Sequence, residues 1–301
     1  MKICTRFLFF SALFASFFFF SPAFSAVSTQ EIEKIEAAAP KKPTVKPEKP
    51  RKILVFSLCN GFQHSCIPFW EKALTTMGEK SGAFQTVIST DMSVFDANNL
   101  NQFDAICLNN TTQLKFSPEQ KKNFLDFIRN GKGIIGIHAA TDNFSDWPEA
   151  EEMMGGKFTG HPWGADSTVS IKLDEPNHPL MKAFGGKNFK INDEIYRTEP
   201  PLYSRAKQRV LMSLDMSDPN TKAKSEKPSD ADTGISWIKK FGKGRVFYCS
   251  LGHNHPVAWN PQVLQHILDG TQFAIGDLKL DDKFIKPLEI KPVNVTGLKK
   301  E

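Results

Sequence analysis

The chain lacks most of the features that mark common functional classes. Its five cysteines form no CxxC pair, so neither a structural zinc ribbon nor a thioredoxin-type redox motif is expected. No apolar run reaches the roughly 20 residues that a membrane-spanning helix needs. There is no internal repeat, and the folded part has no excess of one charge sign. The formal net charge of +5 comes largely from residues 1–52, with 9 basic and 4 acidic side chains, whereas residues 53–276 hold 23 basic and 24 acidic ones. A nearly neutral core removes the electrostatic case for nucleic acid. Nor does a serine or cysteine stand where a strand-to-helix turn would present a nucleophile. That position is a histidine.

What is present begins with an address. Lys2 and Arg6 precede an almost wholly apolar run over 7–20, and Ala23-Phe24-Ser25 supplies the small residues of a cleavage site. This pattern predicts a secretory signal peptide over 1–25, a periplasmic or secreted mature protein, and no stable membrane span after cleavage. Cys4 precedes the apolar run and so is not a lipidation site. Residues 26–51, rich in Ala, Pro and Lys, are expected to be a disordered tether. Residues 52–276 are long enough for one well-buried α/β domain, and 277–301 form a C-terminal tail. Of the remaining cysteines Cys59, Cys66, Cys107 and Cys249, the last two lie in strand-like runs, which favours free buried thiols over disulfides.

Short apolar runs at 52–58, 84–89, 105–108 and 133–137 read as strands, separated by helical patterns. Pro68 opens a helix to about Lys80. Ser117-Pro118-Glu119-Gln120 has N-cap, first-turn proline and capping-box glutamine in order, and Gly131 ends that helix. Strands alternating with helices predict a mainly parallel sheet covered on both sides. Further strands follow at 168–173, 210–214 and 235–238. Gly242-Lys243-Gly244 turns the chain into 245–251 as a C-terminal β-hairpin, and Pro261 starts a closing helix. Residues 215–231 are polar and are expected to be a mobile loop near the site.

In an open parallel sheet, ligands bind outside the carboxyl ends of the strands. His64, His138 and His253 fall at such ends, and His161 follows the helix launched after His138, so the four are expected in one cleft. His138 stands in Gly136-Ile137-His138-Ala139-Ala140, whose small residues permit a sharp turn. Its imidazole suits proton transfer or metal binding better than acyl transfer, or it simply hydrogen-bonds a neighbouring loop. Asp142 either orients the His138 ring, serves as a second acid or base, or caps the next helix. Asp193-Glu194-Ile195-Tyr196-Arg197 fits a polyol site or an alternating-charge surface strand. Trp163 offers a flat face for a sugar ring or acts as a buried anchor. Asp146 reads as a cap, and His178, His255 and His266 as structural.

The stretches 136–148 and 155–163, then Asp193-Glu194-Ile195-Tyr196, residues 242–248 and Ser250-Leu251-Gly252-His253, together resemble the trehalose-utilisation (ThuA-like) family. The resemblance runs from about Lys52 to Gly276 and rests on the ordered combination. It implies a flavodoxin-like three-layer α/β/α sandwich of the class I glutamine amidotransferase kind. The turn here lacks that group's cysteine, so glutaminase activity is not implied.

The resemblance also implies a role in carbohydrate catabolism, with a small-molecule sugar, a disaccharide or keto-sugar derivative, as partner. The residues fit acid/base work, with His138 as shuttle, Asp142 as its partner and His161 or Glu194 as the complementary group. His64, Trp163, Arg197 and His253 are the candidate substrate contacts. The same histidines also fit a divalent metal such as zinc with open positions for sugar oxygens. Two other classes stay open. One is a non-catalytic carbohydrate-binding or interaction module with a vestigial turn, marked by a pocket without paired acid/base groups. The other is a cysteine hydrolase using Cys59 or Cys66, disfavoured because neither follows a glycine-flanked turn.

Overall fold

In the computed structural model, which describes residues 26–221 and 227–288, five strands lie side by side. They are β2 (Gln85–Ser89), β1 (Lys52–Phe56), β3 (Ala105–Asn109), β4 (Gly133–Ile137) and β9 (Gly244–Cys249), all parallel. Every residue of β3 and β4 is buried, as continuous apolar runs require. From β9 the sheet continues antiparallel through β8 (Gly234–Phe241), β7 (Arg209–Leu214), β5 (Thr168–Leu173) and β6 (Phe189–Asn192).

The sheet is therefore mixed, with the expected parallel order confined to one half. The later strands follow one another without the long crossover helices that parallel pairing needs, so they return antiparallel. Alternation along β1 sends Ile53 and Val55 to one apolar cluster and Leu54 and Phe56 to another. The first cluster takes in α2 (Ile67–Ser81) and α6 (Pro261–Ile275). The second takes in α3 (Ala97–Leu100) and α4 (Pro118–Arg129). The Ser117–Gln120 capping box forms at the start of α4 as its sequence requires.

The segment expected to be a tether is built into the fold instead. Ser28 and Glu31 form a capping box that starts α1 (Thr29–Ala38), and Ile35 of this helix is fully buried in the first apolar cluster. Beyond it, the N–H groups of Thr44 and Val45 donate to Gln272 Oε1 (2.7 and 3.1 Å), and Arg51 reaches Asp277 and Asp104. The Pro- and Lys-rich composition hid these pairings because Gln272 and Asp277 lie more than 200 residues away and Asp104 lies 53 away. The C-terminal tail is likewise ordered through Leu288. It forms α7 (Asp282–Ile285), and Arg209 Nη1 donates to the carbonyls of Lys283 and Lys286 at 3.0 Å. The expected signal peptide lies outside the described residues. Among the described residues no helix is long and apolar enough to cross a membrane.

Candidate active site

Three loops at the carboxyl ends of the parallel strands and one segment after β6 build the site. After β4 the chain enters a 3-10 turn, His138–Thr141, with His138 at φ 45°. This left-handed conformation is uncommon for a bulky residue and is held by its surroundings. Gly136 and Ala140 make room for it: a Cβ on Gly136 would meet Tyr248 at 2.9 Å and Ala140 at 3.0 Å. After β9, Gly252 turns the chain at φ 137°, and its carbonyl accepts the Trp70 indole N–H at 2.8 Å. His253 follows directly. His64 comes from the loop after β1.

Glu194 stands two residues past β6. Ile195 N–H donates to the Trp163 carbonyl (2.9 Å) and Arg197 N–H to the Gly160 carbonyl (2.8 Å), and this pairing sets His161 beside Glu194. Glu194 Oε2 lies 3.2 Å from His161 Nδ1. Its Oε1 lies 3.3 Å from His253 Nδ1 and 3.6 Å from His138 Nε2, and those two nitrogens are 3.3 Å apart. The His64 ring stands 5.2 Å from the His138 ring and 5.3 Å from that of His253. One donor atom from each of His64, His138, Glu194 and His253 lies within 4.8 Å of every other.

Burial sets the protonation of this cluster. It pushes His64 down to about 3, with the neighbouring histidines adding to the shift, and His138 down to about 4 against the opposing pull of the Ser250 carbonyl. His253 falls to about 4 for the same first reason, with His138 reinforcing it. All three imidazoles are neutral at pH 7. His138 Nδ1 lies 2.8 Å from the Ser250 carbonyl, which can only accept. That nitrogen therefore carries the proton, and the Nε2 lone pair faces His253 and Glu194. Ser250, not Asp142, orients the ring, which removes the first of the roles expected for Asp142.

Asp142 is half-buried nearby, and burial raises its carboxyl to about 6. It caps no helix: α5 (Pro148–Met154) begins after Trp147, without a side-chain cap from Asp146 either. Two expected substrate contacts are committed elsewhere. Trp163 is only 1% exposed, with its indole N–H on the Thr221 carbonyl at 2.7 Å, so it is a buried anchor. Arg197 is buried and donates through Nε and Nη2 to Asp230 at 2.6 and 2.7 Å. Asp230 belongs to the 215–231 segment expected to be mobile. Its burial, and that of Thr221, pins both ends of that segment around residues outside the description.

Sequence reasoning gave no role to two residues of the same motif. Tyr196 is buried, with its hydroxyl 3.2 Å from His64 Nε2 and its ring 4.3 Å from that of His138. Burial, with Glu194 and Asp142 nearby, holds its phenol well above the ordinary range, so it stays protonated. Asp193 is fully buried and clamps the His253 loop from below. Neither cysteine is an activated nucleophile, because burial raises the thiols of both Cys59 and Cys66. His178 and His266 hold the carbonyls of Phe284 and Leu180, and His255 packs on Phe69, all structural positions.

The donor set fits a divalent first-row metal. Ligand bonds of about 2.0–2.1 Å in a tetrahedral site separate neighbouring donor atoms by about 3.4 Å. The His138, His253 and Glu194 atoms are spaced by 3.3, 3.3 and 3.6 Å. Two of the three are neutral imidazoles, and the third is a carboxylate. The His138–Ser250 contact supplies the outer hydrogen bond that ligating histidines usually make. His64 adds a fourth imidazole, whose buried Nδ1 has no hydrogen-bond partner.

Comparison with known proteins gives the family of the chain. The family model for trehalose utilisation, ThuA, matches residues 52–274. A ThuA-like protein from Bacteroides uniformis shares the fold with TM-score 0.58 at 21% identity, over 76% of this chain and 93% of that one. Another, from Parabacteroides merdae, aligns with TM-score 0.57 at 19% identity, over 79% and 96% of the two chains. No curated protein matches the sequence. Residues 52–274, which carry every member of the histidine cluster, thus make this chain a member of the trehalose-utilisation (ThuA) family.

Proposed function

We propose that the domain acts on a sugar, a disaccharide or its keto derivative, at a divalent-metal centre held by His138, His253 and Glu194, with His64 at its edge. The observation that carries this reading is the triangle of three potential ligand atoms, His138 Nε2, His253 Nδ1 and Glu194 Oε1, spaced at 3.3, 3.3 and 3.6 Å. With its Nε2 protonated, His253 would turn an Nδ1 lone pair toward those of His138 and Glu194, and a cation between them would offset their repulsion. A bound ion would polarise a carbonyl or hydroxyl oxygen of the sugar. His161 is the partly exposed base or acid beside Glu194, placed to move a proton at the mouth of the site. Tyr196, kept protonated, is a neutral hydrogen-bond donor toward the cluster.

The family's trehalose-utilisation label and the absence of a cysteine or serine at the turn support a carbohydrate role without glutaminase activity. The competing class, a binding module with an idle turn, is disfavoured by the close His161–Glu194 pair, since mere binding has no need of it. For the architecture we propose a flavodoxin-like α/β/α sandwich closed by the β8–β9 hairpin, supported by apolar clusters on both sheet faces. The reading also has the protein exported as a periplasmic or secreted enzyme. N-terminal sequencing of the mature chain should then begin near Ala26.

The test of the centre is elemental analysis of the protein purified without chelator. One equivalent of a first-row divalent metal is expected, falling well below one in Glu194→Gln and His253→Ala. Full metal-free activity on a sugar substrate would overturn the metal reading. Equal metal content in wild type and both variants would overturn the ligand assignment.

A further inference from the structure

Three large hydrophobic side chains are exposed among the described residues: Phe62, Ile88 and Leu288. Single exposed apolar residues are ordinary on protein surfaces. Phe62 differs in its place and in how it is held. At 67% exposure, its ring stands edge-to-face with His64 at 4.8 Å, at the border of the histidine cluster. Its loop is tied down on both sides. The Phe62 carbonyl accepts the Thr112 hydroxyl at 2.9 Å, Asn60 N–H donates to the Thr112 carbonyl at 2.9 Å, and Asn60 Nδ2 reaches the Gln113 carbonyl at 3.3 Å. Gly61 packs so closely on Gln113 that a Cβ would come within 2.7 Å. The ring is therefore held out in solvent by a fixed backbone.

His253 of the cluster also borders an open polar groove of ≈ 370 Å³ with Ser65, Asn192, Asn254 and His255. The site is thus bordered by a bare aromatic face at His64 and a polar channel at His253. A pyranose ring has the matching character, with an axial C–H face that packs on an aromatic ring and equatorial hydroxyls that hydrogen-bond. The buried Trp163 leaves the platform role vacant, and Phe62 has the accessibility that Trp163 lacks.

We propose that Phe62 is the stacking platform that selects a pyranose ring and sets it beside the His138–His253–Glu194 centre, with the groove receiving the second ring of a disaccharide. This deepens the proposed function and rests on it. Phe62 positions the substrate and takes no part in proton or metal chemistry. A phenyl ring placed this way is worth about a factor of ten in affinity.

Titration calorimetry on the metal-containing full chain, with trehalose, maltose, cellobiose and their keto forms, tests it. For whichever disaccharide the wild type binds, Phe62→Ala should weaken affinity roughly tenfold, and Phe62→Trp should restore it. Metal content and thermal midpoint should stay at wild-type values in both, because the side chain is exposed and is not a ligand. Unchanged affinity in Phe62→Ala, with metal retained, overturns the platform and leaves the proposed function standing. Weakened affinity that Phe62→Trp does not restore also overturns it, since stacking needs only an aromatic face. If the wild type binds none of the sugars, the proposed function falls and the platform with it.

Discussion

The carboxylate of Asp193 accepts the backbone N–H of His253 at 3.1 Å, and the same two oxygens also take the N–H groups of Gly252 and Asn254, each at 2.7 Å. Three successive amides converge on one fully buried carboxyl group, and although burial pushes it up to about 7, these N–H groups favour its ionised form and fix the loop that presents His253. Asp193→Ala leaves the buried Gly252 N–H unpaired at a cost of about 1–3 kcal/mol, and the part-buried N–H groups of His253 and Asn254 lose their partner as well. Asp193→Asn keeps the shape but turns an amide NH₂ toward one of these N–H groups. Both variants are expected to lower the urea midpoint and, because His253 is released, to bind metal more weakly. The alanine variant should be the worse of the two. Full metal content in Asp193→Ala would show that the loop holds its position without the clamp.

The strands, the helix beginning at Pro118 and the cluster of His64, His138, His161 and His253 were legible because each depends on local pattern: apolar runs, caps, and polar residues following a strand. Glu194 was legible only as one of two options. Its environment is made by His253, His138 and His161 from three other segments, and nothing in its own neighbours signals burial. Asp193 was legible only as one carboxylate of a polyol site, since an acid whose backbone partners lie some 60 residues on gives no sign of clamping a loop. Trp163 shows the reverse failure. A tryptophan near glycine and proline suits a sugar platform in sequence, and only the Thr221 contact reveals an anchor. Ile35 and the Ser28–Glu31 box were present in sequence, but the surrounding prolines and lysines masked them.

Arg51 carries the clearest stability prediction. Its Nε donates to both oxygens of Asp277 (3.0 and 3.1 Å), Nη2 makes a further bond there, and Nη1 donates to Asp104 at 3.1 Å. The Asp277 side chain is fully buried, so removing the guanidinium strands a charge. Breaking a buried pair from one side costs about 3–5 kcal/mol. Arg51→Ala is expected to lose that much in urea unfolding. Arg51→Lys should recover only part, since an ammonium cannot span both acids as the planar fork does. A loss within experimental error would mean that the Arg51–Asp277–Asp104 bridge contributes nothing to stability.

The pH dependence of stability should follow the buried histidines, and His266 isolates it away from the site. Burial lowers this ring to about 4 from an ordinary 6.5, and Nδ1 lies 2.8 Å from the Leu180 carbonyl. The folded state therefore binds the proton less readily than the unfolded state. This stabilisation is complete above about pH 6.5 and disappears as pH falls toward 4. One such group amounts to roughly 3 kcal/mol across that window. Unfolding curves at pH 7.5, 5.5 and 4.5 should show the loss in wild type. His266→Asn should be less stable at pH 7.5 but have a shallower pH slope. Identical slopes would assign the acid sensitivity to other groups.

His138 combines both kinds of effect, and two substitutions separate them. Its Nδ1 holds the Ser250 carbonyl and its Nε2 faces the proposed ion, while its backbone sits at φ 45°. His138→Ala removes the ligand and the hydrogen bond, the latter at a cost of about 1 kcal/mol. It also keeps a β-carbon in the left-handed region. His138→Asn removes the imidazole too, but asparagine tolerates that backbone and can reach the carbonyl, so its thermal midpoint should lie nearer wild type. Both should lose the metal, and turnover of any sugar substrate should fall by about a hundredfold or more, the usual worth of a proton shuttle or ligand. Cys59→Ser and Cys66→Ser should keep turnover, since both thiols are raised by burial. The outcome that removes His138 from the chemistry is a stable His138→Asn protein with normal metal and normal turnover. Loss of turnover in a cysteine variant alone would move the reaction to that thiol.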